Sequence, residues 1–527
     1  MVTSFFHLKF IDPFNLPKMA LLVIFTSIIL GLNLFALFRK FKKPNLFSIL
    51  IFLMFLQCIL ATLFSQRTFS QDIYGNFARN TGLITFLSLI IIMVCASLYV
   101  TDTLIKSFLK ISSLTIFAVS VIGFMQFFGL YEPLKVFNYE DGVFATLGNP
   151  NFYSALLGLN TILLLPKLFN RNLTFRNKVY IVIFEFFLLW SIYLTKSVQG
   201  YYLTLIGLVI FIYFLFINDK APRLKVIILT FIITLGSVAS LGFINRGPLA
   251  KFIFIDSIED RKYCWDAAFN MIMSRPLFGS GFDSYSDKFR QVRSIEAYNF
   301  KGTNQICDTA HNIFLDIAVS GGIPLLFMYL ALLILVVINF LKILTANLSN
   351  KLNICGVFSA WAAFQIQSII SINQIGIAIW GSVMSGILLG VSANSYVNLQ
   401  YSIIKLKQMI SITISSIVAI GLILPPLVNT YRYSQAYKKK DAAALISVSK
   451  QWPRDPKLMI MLASDLEKSN FSQQSLNLLK AIVVEYPNEY DAYKFIASNK
   501  LANKDDVENA INQIIRLDPL VGQKFLD

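Results

Sequence analysis

The chain has 527 residues, 56% hydrophobic and 14% charged, with 48 phenylalanines and a formal net charge of +17. Soluble domains are nearer half apolar and a quarter charged, so this composition excludes a soluble globular protein over most of the length. The basic excess is spread between hydrophobic runs, which argues against nucleic acid as a partner.

Taken in chain order, about twelve apolar runs are each long enough to cross a bilayer: 19–38, 45–64, 82–100, 110–130, 152–169, 179–195, 200–217, 224–244, 322–341, 352–372, 376–396 and 409–428. The first is not a signal peptide, since it is too long and its basic residues follow it. The short connections fall into two alternating sets. One holds seventeen cations: Arg39, Lys40, Lys42, Lys43, Lys106, Lys110, Lys167, Arg171, Arg176, Lys178, Lys220, Arg223, Lys225, Lys342, Lys351, Lys405 and Lys407. The other holds Arg67, Arg79, Lys135 and Lys196. The positive-inside rule assigns the first set to the cytoplasm. Loops 65–81, 131–151, 196–199 and 245–321, the tail after about 428 and, by parity, the N-terminus then face outward. The fold class expected is all-α: a polytopic bundle over residues 1–431 with a long outer loop at 245–321 that carries amphipathic helices.

Composition changes after Tyr431, and residues 432–527 read as a separate helical domain. Pro453, Pro487 and Pro519 punctuate it at spacings of 34 and 32 residues, a period near that of tetratricopeptide repeats. Such a tail either docks a protein partner on a concave face or serves as a helical cap on the membrane domain. Cys58, Cys95 and Cys355 fall inside apolar runs and read as packing groups. Cys264 and Cys307 share the outer loop, where a disulfide or two separate buried thiols are both open.

The chain has no HExxH, no P-loop, no DxD pair and no CxxC, so neither a metal nor a nucleotide cofactor is expected. Glu185 is the one ionisable residue at the centre of a run; a coupled transporter would carry several, and a bond to a neighbouring helix accounts for one. Polar chemistry gathers instead on the outer loops. Arg79 lies in YGNFARNTGL, Lys196, Ser197 and Gln199 in a short turn, Arg261, Arg275, Arg290 and Arg293 in the long loop, and Asn312 beside His311. Guanidinium forks bind phosphate oxygens bidentately. A neutral imidazole accepts a hydroxyl proton near neutral pH. Together these groups suit a lipid-linked diphosphate, without a metal. The blander readings are a surface or cap histidine and arginines that bind lipid headgroups.

The order of motifs sharpens this. YGNFARNTGL, TLGNPNFYSALL, SVQG, DRKYCWDAAFNMIMSRPLFGSGFDSY and AHNIFLDIAVSGGIPLLFMYL follow one another over residues 65 to 345. In this order the chain resembles the O-antigen ligase and polymerase-like superfamily of bacterial membrane glycosyltransferases. The resemblance implies transfer of a glycan from an undecaprenyl-diphosphate carrier, with no metal and no nucleotide sugar, on the outer face of the cytoplasmic membrane. By resemblance His311 takes the place of the family's essential histidine, Arg261 that of a diphosphate-binding loop arginine, and Arg79 that of another basic position. Gln199 stands where many ligases have an arginine, with Lys196 or Arg290 as substitutes for its charge. His311 and Arg261 are thus the expected catalytic residues; Arg79, Lys196, Gln199, Arg290 and Asn312 are the expected substrate contacts. The acceptor implied is a glycan, a lipid or a protein, among membrane lipids, with the tail open to a protein partner. A polymerase shares the same motifs. A lipid-linked glycan flippase and a scaffold acting through its tail are the other classes considered.

Overall fold

The computed structural model describes residues 1–41, 45–98, 100–131, 142–216, 256–346, 350–391 and 406–521, together with 230, 234, 246 and 247. All regular structure among them is helical. The apolar run at 224–244, Lys135 and the start of the long loop lie outside the described residues, apart from these isolated positions.

Helices α1 (Asn15–Phe41), α2 (Leu46–Leu63), α3 (Phe69–Tyr74), α4 (Leu83–Ala96) and α5 (Asp102–Phe127) form the first part. They are followed by α6 (Pro150–Leu168), α7 (Phe175–Leu194) and α8 (Gln199–Phe216). The long loop carries α9 (Asp256–Ser274), α10 (Tyr285–Val292) and α11 (Ile295–Lys301). Then come α12 (Ile313–Thr345), α13 (Lys351–Gln367), α14 (Ile375–Gly390) and α15 (Leu406–Lys439). The starts carry the residues that satisfy free backbone N–H groups: Asn45, Thr101, Asn149, Thr174 and Asn312 each accept from the first turn.

Among the described residues, six helices, namely Asn15–Phe38 within α1, then α2, α5, α7, α12 and α15, are long and apolar enough to cross a membrane. Helices α4, α14 and the Gln199–Leu215 part of α8 are shorter and apolar. The chain is a membrane protein. Exposed Phe52, Ile59, Phe117, Ile183, Phe186 and Ile417 would otherwise be a large apolar surface in water.

Without a hydrophobic drive between spans in lipid, close approach and hydroxyl bonds hold the helices together. Helix α1 lies along α15, where a Cβ on Gly31 would stand 2.6 Å from Ile412 Cα. The Ser415 hydroxyl donates to Ser27 O at 2.8 Å across the same seam. A second packed group joins α6, α8 and α13, with Leu156, Leu203, Ile354 and Val357 in its core. Glu185 is turned inward on α7.

The tail comprises α16 (Ala442–Ser449), α17 (Pro456–Lys468), α18 (Ser472–Glu485), α19 (Tyr490–Ser498) and α20 (Lys504–Leu517). Helix α17 packs on α18, α18 on α19 and α19 on α20. The tail is joined to the loops. Phe77 N–H donates to Asp455 at 3.1 Å, Lys457 to Ser286 at 2.9 Å and Lys494 to Asn304 at 2.7 Å. Tyr298 of α11 is part of the tail's apolar core, and the Tyr74 and Trp452 rings meet at 5.5 Å. The loops at 65–82, 142–149 and 195–199, and the segment 275–312, therefore share one end of the bundle with the tail. We call this end the loop face.

Candidate active site

The loop face is organised by a joint between two glycine-containing segments. In PLFGSGF, Gly279 and Gly281 take φ of 70° and 98°. A Cβ on Gly279 would stand 2.6 Å from the Ser320 backbone, so glycine is required there for contact as well as for φ. Ser280 N–H donates to Val319 O at 2.7 Å and Gly281 N–H to Ser320 O at 3.1 Å. Helix α12 breaks at Gly322 (φ 76°, ψ 176°), and Ile323 N–H beyond the break donates to Pro276 O at 2.7 Å. The Gln57 amide of α2 bonds Leu277 O at 2.7 Å and Gly321 O at 2.8 Å. These glycines hold backbone against backbone.

The joint delivers Asp283 to the 75–82 loop. Its carboxylate accepts from Asn76 N–H and from Arg79 Nε, each at 2.8 Å. The far end of the same guanidinium donates to Asp308 at 2.9 Å. Asp308 Oδ1 in turn lies 3.7 Å from His311 Nε2. His311 is held at φ 51°, in the left-handed region. Its N–H donates to Thr309 Oγ1 at 3.0 Å, and the neighbouring Ala310 N–H donates to Asp316 at 2.9 Å. A non-glycine residue in this conformation costs about 1–3 kcal/mol and persists where surrounding bonds impose it.

Arg261 approaches from α9. Its charge acts on His311, as does that of Arg79. Its neighbour Asp260 is paired with Lys301, and Arg261 itself has no ion-pair partner among the described residues. Burial pushes the Arg261 guanidinium below its usual range, with Asp260 opposing. A partly desolvated cation without a bonded partner has the chemistry to bind an anion. Arg79 is already committed to two carboxylates.

His311 is one-third exposed. Burial lowers its pKa; Asp308 opposes, and Arg261 and Arg79 add to the lowering. The imidazole is therefore neutral at neutral pH and free to accept a proton. For Asp308 burial acts upward, but Arg79 and His311 outweigh it and hold the carboxyl below the ordinary range.

Cys264 and Cys307 form a disulfide with Cα atoms 5.8 Å apart. Of the two readings open from sequence, the bonded one holds. Cys264 lies one helical turn beyond Arg261, and Cys307 directly precedes Asp308 in the segment leading to His311. The bond thus ties the arginine's helix to the histidine's loop. Beside Arg79 opens a small pocket lined by Arg79, Asp283, Ser284, Thr309, Asp316 and Asn373 among others. A second small pocket lies among α2, α4, α12, α13 and α14. The two share Phe86, Ile313, Ile317 and Asn373.

The other expected contacts sit elsewhere. Arg290 is stacked 4.1 Å over the Tyr490 ring, lies 3.6 Å from Asp518 and bonds Thr303 O. Asn312 caps α12, accepting from Phe314 N–H at 3.0 Å and Leu315 N–H at 3.3 Å. Lys196 occupies a left-handed turn (φ 55°) between α7 and α8. Gln199 accepts from the Gln367 amide at 3.1 Å, one residue before Ser368, whose carbonyl accepts from Ile313 N–H at 2.9 Å.

Sequence reasoning passed over the carboxylates Asp283, Asp308 and Asp316. It also took Arg67 for a loop cation only. Arg67 is buried, pairs with Asp287 at 2.9 Å and Asp72 at 3.5 Å, and donates to Phe282 O and Asn76. The available signal was a pair of acidic residues, Asp283 and Asp287, that the fold sets against Arg79 and Arg67.

Residues 183–330 match the family model described as O-Antigen ligase. No curated protein matches the chain.

Proposed function

We propose, from the match of residues 183–330 to the O-Antigen ligase family model, that the chain is a membrane enzyme of that superfamily and transfers an undecaprenyl-diphosphate-linked glycan to an acceptor on the outer face of the cytoplasmic membrane. The observation that carries this reading is the charge of Arg261, a guanidinium with no ion-pair partner among the described residues, acting on the one-third-exposed His311 at the loop face, next to a pocket lined by Arg79, Asp283 and Thr309. An amphipathic donor has its chain among the spans and its diphosphate at the loop face. Arg261 binds the diphosphate oxygens. An acceptor hydroxyl attacks the anomeric carbon and its proton passes to His311. The bond from that carbon to the phosphate oxygen breaks, and undecaprenyl diphosphate leaves with the electron pair. Guanidinium charge stabilises that leaving group.

His311→Ala and Arg261→Ala are expected to insert normally and to lose transfer, the first by roughly 10²–10⁴-fold, the range for a general base. Near-normal transfer by either variant rejects the assignment. Surface glycan profiles after gene deletion separate the two members of the class. Loss of a long-chain ladder with single units retained indicates a polymerase; free long chains indicate a ligase. In this reading the chain crosses the membrane roughly twelve times, six of the crossings being the long apolar helices already described, with the loop face and tail outside. The tail carries repeat-like helix pairs that fit a protein partner.

A further inference from the structure

The loop face contains a chain of three groups, Arg79, Asp308 and His311. Asp308 receives Arg79 Nη1 at 2.9 Å on one oxygen and stands 3.7 Å from His311 Nε2 through the other. Arg79 is itself anchored, its Nε bonded to the buried Asp283 at 2.8 Å. Asp283 is fixed in turn by Asn76 N–H at 2.8 Å. Asp308 is also tethered through the backbone, because Cys307 is disulfide-bonded to α9. A carboxylate held by Arg79 and by the disulfide-tethered backbone, with its other oxygen 3.7 Å from the imidazole, is placed to bias the ring's orientation electrostatically.

The geometry points to Asp308 as a positioning residue for His311, oriented by Arg79, which acts here as an anchor for Asp308 and not as a ligand for the donor's diphosphate. This rests on His311 being the proton acceptor proposed above. The step itself is unchanged: the acceptor proton goes to the imidazole and Asp308 stays ionised. What Asp308 supplies is the ring's orientation and a negative charge that favours the protonated imidazole as it forms.

The charged groups that face His311 come from three elements. Asp260 and Arg261 lie on α9, Arg79 on the 75–82 loop, and Asp308 on the histidine's own loop. Asp283 and Asp316 act on Arg79 behind them. Burial and the two arginines disfavour the imidazolium, while Asp308 and Asp260 favour it. Removing the Asp308 charge leaves the lowering influences less opposed. The His311 titration must then move to lower pH, and the acid limb of the transfer rate with it.

The chain has two histidines, which permits a direct reading that does not depend on activity. In a His7→Gln background, carbethoxylation by diethyl pyrocarbonate, followed at 240 nm, reports the neutral fraction of His311 alone. Full-length protein in detergent micelles is titrated with and without Asp308→Asn, and with Asp308→Glu as the conservative variant. The expected result is a midpoint shifted to lower pH in Asp308→Asn and returned toward the parent in Asp308→Glu. An unchanged midpoint overturns the contact, whatever the protein's function. The same variants are then assayed with lipid-linked glycan extracted from a strain lacking the chain. Asp308→Asn is expected to lower kcat by on the order of 100-fold, as misorientation of a reacting group does, with the donor KM held by Arg261 and the acid limb displaced downward. A shifted titration with unchanged kcat overturns the positioning role while leaving the contact intact. Absence of transfer in the parent counts against the proposed function and leaves the titration result standing.

Discussion

Arg79 and Arg261 both act electrostatically on the His311 imidazole but differ in what their guanidinium groups already hold. Arg79 bonds two carboxylates, one of them in Asp283, whose side chain is 1% exposed. Arg79→Ala would leave that carboxylate buried and unpaired, at a cost of roughly 3–5 kcal/mol, so a lower melting temperature is expected alongside lost transfer. Arg261→Ala breaks no ion pair seen among the described residues. It should keep the parent's melting temperature and lose transfer by about 10²–10³-fold, the effect of removing one donor to a developing charge. Equal destabilisation by both variants would show that the two arginines are equivalent. The His311 shift has a definite sign for rate: a group with lowered pKa remains unprotonated further into acid, so transfer should persist below the ordinary imidazole range before falling.

At the scale of elements, the joint between PLFGSGF and SGGIP sets the loop on α12. Gly322 has φ 76°, and a Cβ there would stand 2.5 Å from Leu277 O. Gly322→Ala should therefore lower the yield of folded protein in membranes, because both backbone conformation and contact resist the side chain. The disulfide closes a separation of 43 residues, for which chain entropy suggests about 4 kcal/mol. Cys264→Ser with Cys307→Ser is expected to lower the melting temperature, and maleimide labelling of the unfolded parent should gain two sites only after reduction. The helices themselves were legible, since twenty-residue apolar runs and Asn or Thr starts are local signals. Two features were not. Pairing of Cys264 with Cys307 depends on α9 folding back on the histidine loop, and the roles of Asp283 and Asp308 depend on two loops some 200 residues apart in sequence meeting at Arg79.

Across the whole molecule, the tail and the long loop form one packed body. Arg293 and Asp518 pair with both side chains fully buried, and Arg293 also bonds Gly302 O at 3.1 Å. Burial pulls Arg293 down and Asp518 up despite the pairing, so the contact is better understood as fixing the tail's seat than as adding stability. Asp518→Ala strands the arginine and should expose the tail to limited proteolysis. Burial, reinforced by Asp287, pushes Glu489 up to about 8. The native state then holds a proton that the unfolded state releases above its ordinary carboxylate range, so stability falls as pH rises from there toward 8. Glu489→Gln should flatten that slope; an unchanged slope would show that Glu489 is not the group responsible.

The amino-acid sequence by itself determined the membrane class, the helical runs and the candidacy of His311 and Arg261. These follow from hydropathy, period and residue type, which act over a few turns of chain. Only the tertiary structure decided which arginine is occupied and which is open, that two cysteines are joined, and that Arg290 serves the tail's attachment. Those facts depend on distances between segments far apart in the chain, and a charge's chemistry is set by the neighbours that folding brings to it.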